Sequence, residues 1–324
     1  MTYTVETMRG PALRVILFSI YAAFHLFAQP LAVRPPRGLG DARMDMSTHV
    51  IRADVNLVLV PAVVTDRKGA TVSGLSRDNF TVLENKVPQT IVSLSSQDVP
   101  CTIGMILDLS GSMRGKLQMA TGAVRSFLET ANPEDEISLL TVGSRPHSLS
   151  DFTADFGSLQ NSIVAAQAGG DTALVDTVYL GLSRLRSARH GRTALLVISD
   201  GMDNHSRYSK SELLRAVEES DVPIFTIGIA DTPAGKKAIE MVDQSRGLAL
   251  LSDLADRSGG VSFKAAIPGD AGAAALKIGH AMRSEYVIAY NQASANDAGK
   301  WRRIQVKVSS PQLRVYARAG YYAQ

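Results

Sequence analysis

Cysteine is almost missing from this chain: Cys101 is the sole one in 324 residues. A lone thiol excludes an intrachain disulfide framework and any metal site built on cysteine. Placed at the start of an apolar run, it reads as a buried, inert residue. Charge of one sign is lacking too. Lys and Arg number 34 against 31 Asp and Glu, a net +3, and no long basic block occurs. Nucleic acid is therefore not an expected partner. No phosphate-cradling Gly-x-x-x-x-Gly-Lys-Ser/Thr is present, and Ser110 and Ser112 lie outside any Gly-x-Ser-x-Gly elbow. His147, His190, His205 and His280 are scattered without metal-ligand spacing. The expectation is that the chain is not an enzyme, with a hydrolase kept as a remote alternative.

No apolar run reaches the roughly 20 residues of a spanning helix. The nearest is residues 15–28, VILFSIYAAFHLFA, preceded by Arg9 and Arg14 and broken by Gln29 and Pro30. A basic region followed by an apolar stretch of this length has the form of a secretory signal. Cleavage after Ala28 fits imperfectly because Leu26 is large, so two readings stand for residues 1–28: a cleaved signal peptide, or an inner-membrane anchor. Both export the rest of the chain to the periplasm or beyond, and an anchor would be the only membrane contact. Residues 29–49, with Pro30, Pro35, Pro36 and scattered Arg, read as a linker.

What is present has two textures. Residues 50–98 are β-rich: an apolar, β-branched run over 55–64, FTVLE from Phe80, a turn at Asn85 and Lys86, and QTIVSL from Gln89. About 50 residues of strand are marginal alone, and residues 285–324 offer a partner. There, strands over 286–290, 301–308 and 312–319 place Ile304, Val306, Val308, Leu313, Val315 and Ala317 on one face. Arg303, Lys307, Arg314 and Arg318 fall on the other, as an expected solvated face. The two flanks are expected to form one β-sandwich.

Between them, over 99–284, strands alternate with helices. Apolar runs at 103–107, 136–142, 193–199 and 222–229 are separated by helical spacing, as in Leu174, Val178, Leu182 and Leu185. This alternation gives an α/β unit with a mostly parallel sheet flanked by helices. Open sheets of this kind bind ligands at the carboxyl ends of their strands. The run 103–107 empties there into Asp108, Ser110 and Ser112; the TALLVIS run ends in Asp200; Thr172 sits in a Gly-Gly-Asp-Thr loop just before a helix. Carboxylate and hydroxyl oxygens suit a hard cation such as Mg²⁺.

This constellation resembles the von Willebrand factor type A domain, a Rossmann-like α/β fold with a metal-ion-dependent adhesion site. The Asp-x-Ser-x-Ser pattern matches Asp108, Ser110 and Ser112, the threonine loop Thr172, and the strand-ending aspartate Asp200. The flanks and the ending Gly320, Tyr321, Tyr322 are similar to secreted bacterial proteins of this class, especially from acidobacteria. The resemblance implies that Ser110, Ser112 and Thr172 bind Mg²⁺ directly, Mn²⁺ or Ca²⁺ being alternatives. Asp108 and Asp200 would hold coordinated waters and orient the serines, leaving one position for an Asp or Glu of a partner protein. The expected function is an exported, metal-dependent protein-binding module of adhesion type. The alternative is an envelope scaffold whose metal is purely structural. Asp203 and Asn204, beside Asp200, are expected to cap loops rather than tune the site.

Overall fold

The computed structural model describes residues 57–164, 166–231, 237–292 and 299–323. The signal or anchor, the linker and the first residues of the β-rich flank lie outside these. Among the described residues no helix is long and apolar enough to cross a membrane.

Strands β1 (Leu57–Thr65), β2 (Phe80–Glu84), β3 (Val87–Gln89) and β4 (Ile91–Ser95) come first. An alternating series follows: β5 (Thr102–Asp108), α1 (Leu117–Leu128), β6 (Glu136–Val142), β7 (His147–Thr153), α2 (Phe156–Val164), α3 (Leu174–Leu185), β8 (Thr193–Ser199), α4 (Lys210–Ser220), β9 (Ile224–Ile229), α5 (Ala238–Ser258), β10 (Ser262–Ala265) and α6 (Pro268–Arg283). Strands β11 (Tyr286–Asn291), β12 (Trp301–Val308), β13 (Arg314–Ala317) and β14 (Gly320–Tyr322) close the chain.

The series folds into a six-stranded sheet of order β10-β9-β8-β5-β6-β7. Its ladders are parallel except for β7, which runs antiparallel at the edge. All of β5 is buried, as its unbroken apolar run requires when helices cover both faces. Ile103, Met105 and Leu107 pack on one side with Val124 and Phe127 of α1 and Ile278 of α6. Ile106 packs on the other with Leu174 and Val178 of α3, Leu213 of α4 and Leu251 of α5. Side-chain alternation along a strand thus assigns each helix layer its own core. Helix α5 runs for 21 residues, and exposed Ile239, Met241 and Val242 in its first half blur the one-sided stripe that a sheet-covering helix usually shows.

The flanks form two antiparallel sheets, of order β13-β1-β11-β4 and β14-β12-β2-β3. Val58, Val60, Ala62 and Val64 meet Val82, Tyr286, Ile288, Ile304 and Val306 in a shared core. Asn85 and Lys86 both adopt positive φ, 48° and 71°, the two-residue turn that fits the twist of a hairpin. Two expectations need correction. The QTIVSL segment is not one strand: it divides at Thr90, β3 pairing with β2 and β4 with β11. Nor is the outer face wholly solvated. Arg303 and Lys307 are exposed, but Arg318 is held by Asp221, donates to the Leu59 carbonyl at 2.9 Å and lies over the Tyr321 ring. The reason is that β13 packs against the α/β unit: Tyr316 joins its core, and the backbone of Arg318 passes the α5 C-cap at Gly259.

One buried cation sits on the apolar face of β12 itself. Arg302, 4% exposed, donates to Glu84 Oε1 at 2.5 Å. Tyr290 and Tyr321 donate to Glu84 Oε2 at 2.7 and 2.9 Å. Burial pushes the Glu84 carboxyl up, but these hydrogen bonds and the Arg302 charge together hold it below its ordinary value.

Candidate metal centre

The site grows from the register of two neighbouring strands. β5 and β8 lie side by side, with Leu107 opposite Ile198, so both runs end at the same level. Asp108 ends the first; Ser199 and Asp200 end the second. Asp108 is fully buried, and its two oxygens are both engaged. Oδ1 accepts from the Ser110 amide at 2.9 Å, while Ser199 Oγ donates to Oδ2. Ser199 Oγ in turn accepts from the Gly201 amide at 2.9 Å. Burial pushes the Asp108 carboxyl up, the bonds from Ser110 and Ser199 oppose this, and the nearby Asp200 charge adds to the rise.

After Asp108 the chain makes a single 3₁₀ turn, Gly111–Met113. This turn leaves the Ser110 and Ser112 hydroxyls 3.2 Å apart, the first buried and the second exposed. Met113 plugs the core beneath them. Ser112 and Asp200 line one cleft of about 220 Å³, together with Lys116, Met202, Asp231, Glu240, Asp243 and Gln244. Asp200 Oδ1 accepts from the Met202 amide at 3.1 Å, and Oδ2 accepts from Lys116 Nζ at 2.7 Å.

The threonine loop is tied to the serine turn by backbone alone. The Gly111 amide donates to the Gly170 carbonyl at 2.9 Å, and the Gly169 amide to the Leu109 carbonyl at 2.8 Å. A Cβ at Gly111 would stand 3.0 Å from that Gly170 oxygen, so the approach suits glycine. Thr172, buried, follows directly, and its amide donates to Asn204 Oδ1 at 2.8 Å. Asp203 Oδ1 accepts from the Val175 amide at the start of α3. Asp203 and Asn204 therefore cap loops and a helix start, as their positions suggested. Asp108, Ser110, Ser112 and Asp200 thus share one neighbourhood. Thr172 enters from the adjoining loop, and among the described residues no hydrogen bond joins its side chain to the other four. His205 is half exposed, with Nδ1 3.7 Å from Asp171 Oδ2, at the loop rather than in the cleft.

The donor set is hydroxyl and carboxylate oxygen, without thiol or imidazole, as a hard cation prefers. Both aspartates already use an oxygen to hold the loops in place, which suits them to orient bound water rather than to ligate. The side chains that could hold such a cation are those of Asp108, Ser110, Ser112 and Asp200, with Thr172 in the adjoining loop.

Residues 103–202 match the model of the von Willebrand factor type A domain. The chain carries a domain of this family. Such domains are mainly adhesion and interaction modules rather than enzymes. No curated protein matches the chain. Among solved structures, it is similar to a von Willebrand factor type A protein from Catenulispora acidiphila, 12% identical with TM-score 0.48, over 83% of this chain and 73% of that one. It is similar also to the vWF domain of the type V pili tip protein Mfa5 from Porphyromonas gingivalis, 17% identical with TM-score 0.44, over 56% and 95%. A third is the conserved hypothetical protein BatB from Bacteroides thetaiotaomicron, 14% identical with TM-score 0.44, over 57% and 100%.

Three participants escaped sequence reasoning in this A-type domain. Ser199 anchors Asp108, and its place opposite the β5 end was available from strand alignment. Asp231 follows β9 much as Asp200 follows β8, a pattern that could have drawn attention to it. Lys116 gave no signal, because nothing in the spacing shows a lysine turning inward.

Proposed function

We propose that this chain is an exported protein-binding module of adhesion type, in which Asp108, Ser110, Ser112, Thr172 and Asp200 hold a divalent cation, Mg²⁺ first among them. The observation that carries the reading is the paired hydroxyls of Ser110 and Ser112, set between two buried carboxylates whose oxygens already brace the surrounding loops. Once bound, the cation supplies concentrated positive charge, and an Asp or Glu of a partner protein completes its coordination. Asp108 holds the serine turn, Asp200 faces the cleft, and Gly111 lets the threonine loop close in. Export rests on Arg9, Arg14 and the apolar stretch 15–28, which deliver the module to the periplasm or the cell exterior, cleaved or anchored.

The test is capture of partners from an envelope fraction with and without EDTA, alongside the Ser112→Ala variant. Ser112 is exposed and, among the described residues, its side chain hydrogen-bonds only Ser110 Oγ, so the variant keeps its fold. The expected result is a complex lost in EDTA and in Ser112→Ala while the fold survives in both, the melting temperature falling by no more than loss of a bound cation requires. A complex that survives EDTA while the melting temperature falls would replace this reading with a scaffold whose metal is structural.

A further inference from the structure

The cleft beside the serine turn already contains a cation of the protein's own. Lys116 is 6% exposed, an unusual degree of burial for an ammonium group. It stands at the entry to α1, and its amide bonds back to the Met113 carbonyl at 2.8 Å, so the serine turn fixes where its stem begins. Its Nζ lies 2.7 Å from Asp200 Oδ2 and 3.2 Å from Asp231 Oδ2. The two carboxylates differ: the Asp200 side chain is 2% exposed and the Asp231 side chain 36%. One ammonium is thus shared between an inner aspartate of the candidate site and an outer one at the end of β9. Glu240 and Asp243 of α5 line the same cleft, so among the described residues carboxylates outnumber cations there.

We propose that Lys116 is the internal counter-ion of the site and sets its affinity for divalent cations. With the site unloaded, the ammonium neutralises Asp200, so the strand ends hold together without metal. A divalent cation beside Asp200 meets a fixed positive charge, and repulsion between them lowers its affinity. Asp231 moderates this by drawing the ammonium outward. Its position lets Lys116 yield Asp200 without losing a carboxylate partner, which a lone buried ammonium could not do cheaply. The inference rests on the metal-binding reading above and adds a tuning residue to it.

The two partners of the pair give opposite signs. Titration calorimetry with Mg²⁺ compares the wild type with Lys116→Met, near-isosteric and uncharged, and with Asp231→Asn at a partly exposed position, the fold of each variant checked by its thermal unfolding. Lys116→Met binds Mg²⁺ more tightly, by about tenfold, as expected for deleting one like charge from a partly desolvated site. Its melting temperature in EDTA falls, because Asp200 has lost its counter-ion, and Mg²⁺ raises it again. Asp231→Asn binds Mg²⁺ more weakly than the wild type, because the ammonium then rests on Asp200 alone. Wild-type binding with an equal or weaker Lys116→Met affinity overturns the role of Lys116 and leaves the metal reading standing. Absence of Mg²⁺ binding in all three proteins overturns both.

Discussion

Replacing Gly247 with alanine sets two opposing effects against each other behind the candidate metal centre. Gly247 lies within α5, where alanine is favoured over glycine by about 1 kcal/mol. A Cβ at this position, however, would stand 2.6 Å from the Asp200 carbonyl oxygen, 2.8 Å from the Gly201 carbonyl carbon and 3.0 Å from the Met202 amide nitrogen. All three are backbone atoms, so no side chain can swing aside. The opposing loop cannot simply shift either: Gly201 already has φ of 78°, and Met202 is bonded to Asp200. Overpacking of this kind costs about 1–3 kcal/mol or more, so it outweighs the propensity gain. Gly122 in α1 is the control, because nothing lies within 4 Å of its would-be Cβ. Urea unfolding should show Gly247→Ala destabilised by roughly 2 kcal/mol at an unchanged slope. Gly122→Ala should be stabilised by about 0.5–1 kcal/mol. Mg²⁺ affinity should fall only in Gly247→Ala, since the displaced atoms belong to the Asp200 loop. A Gly247→Ala protein as stable as Gly122→Ala would refute the claim that this close approach positions Asp200.

Three further outcomes follow from buried polar groups. Arg302→Met leaves the Glu84 carboxylate in the sandwich core without its cation, and should cost about 3–5 kcal/mol in urea unfolding. Because Glu84 is held below its ordinary 4.5, it favours the folded state at pH above that value. That contribution disappears as pH falls through the depressed folded value, so Glu84→Gln should show a shallower loss of stability below about pH 4.5. The Cys101 thiol, pushed up to about 12 by burial, should resist a thiol reagent at pH 8 and react only as the chain unfolds in denaturant.

The α/β series was legible because burial on both faces imposes continuous apolar runs, as in β5 and β8, and because helices sealing a sheet need one-sided stripes, as in α3. The accessory antiparallel sheets were legible from alternation in β12. The same rule misplaced Arg318, since a strand's outer face is solvated only if nothing packs on it. It puts Arg302 on the inward face with Ile304 but gives no sign of Glu84, which arrives from β2 and makes a buried guanidinium tolerable there. The split at Thr90 has a related origin: a short strand run carries no mark of which sheet each half joins.

At the candidate site, the order of residues alone determined which side chains carry oxygen and that β5 ends in a carboxylate and β8 runs directly into one. Those are properties of composition and spacing along one run of chain. Tertiary structure decided the rest: that Ser199 braces Asp108, that Gly201 and Gly247 touch, and that Lys116 lies between Asp200 and Asp231. Each is a contact between segments dozens of residues apart. Its geometry depends on strand register and helix packing together, and neither is written in any local stretch of sequence.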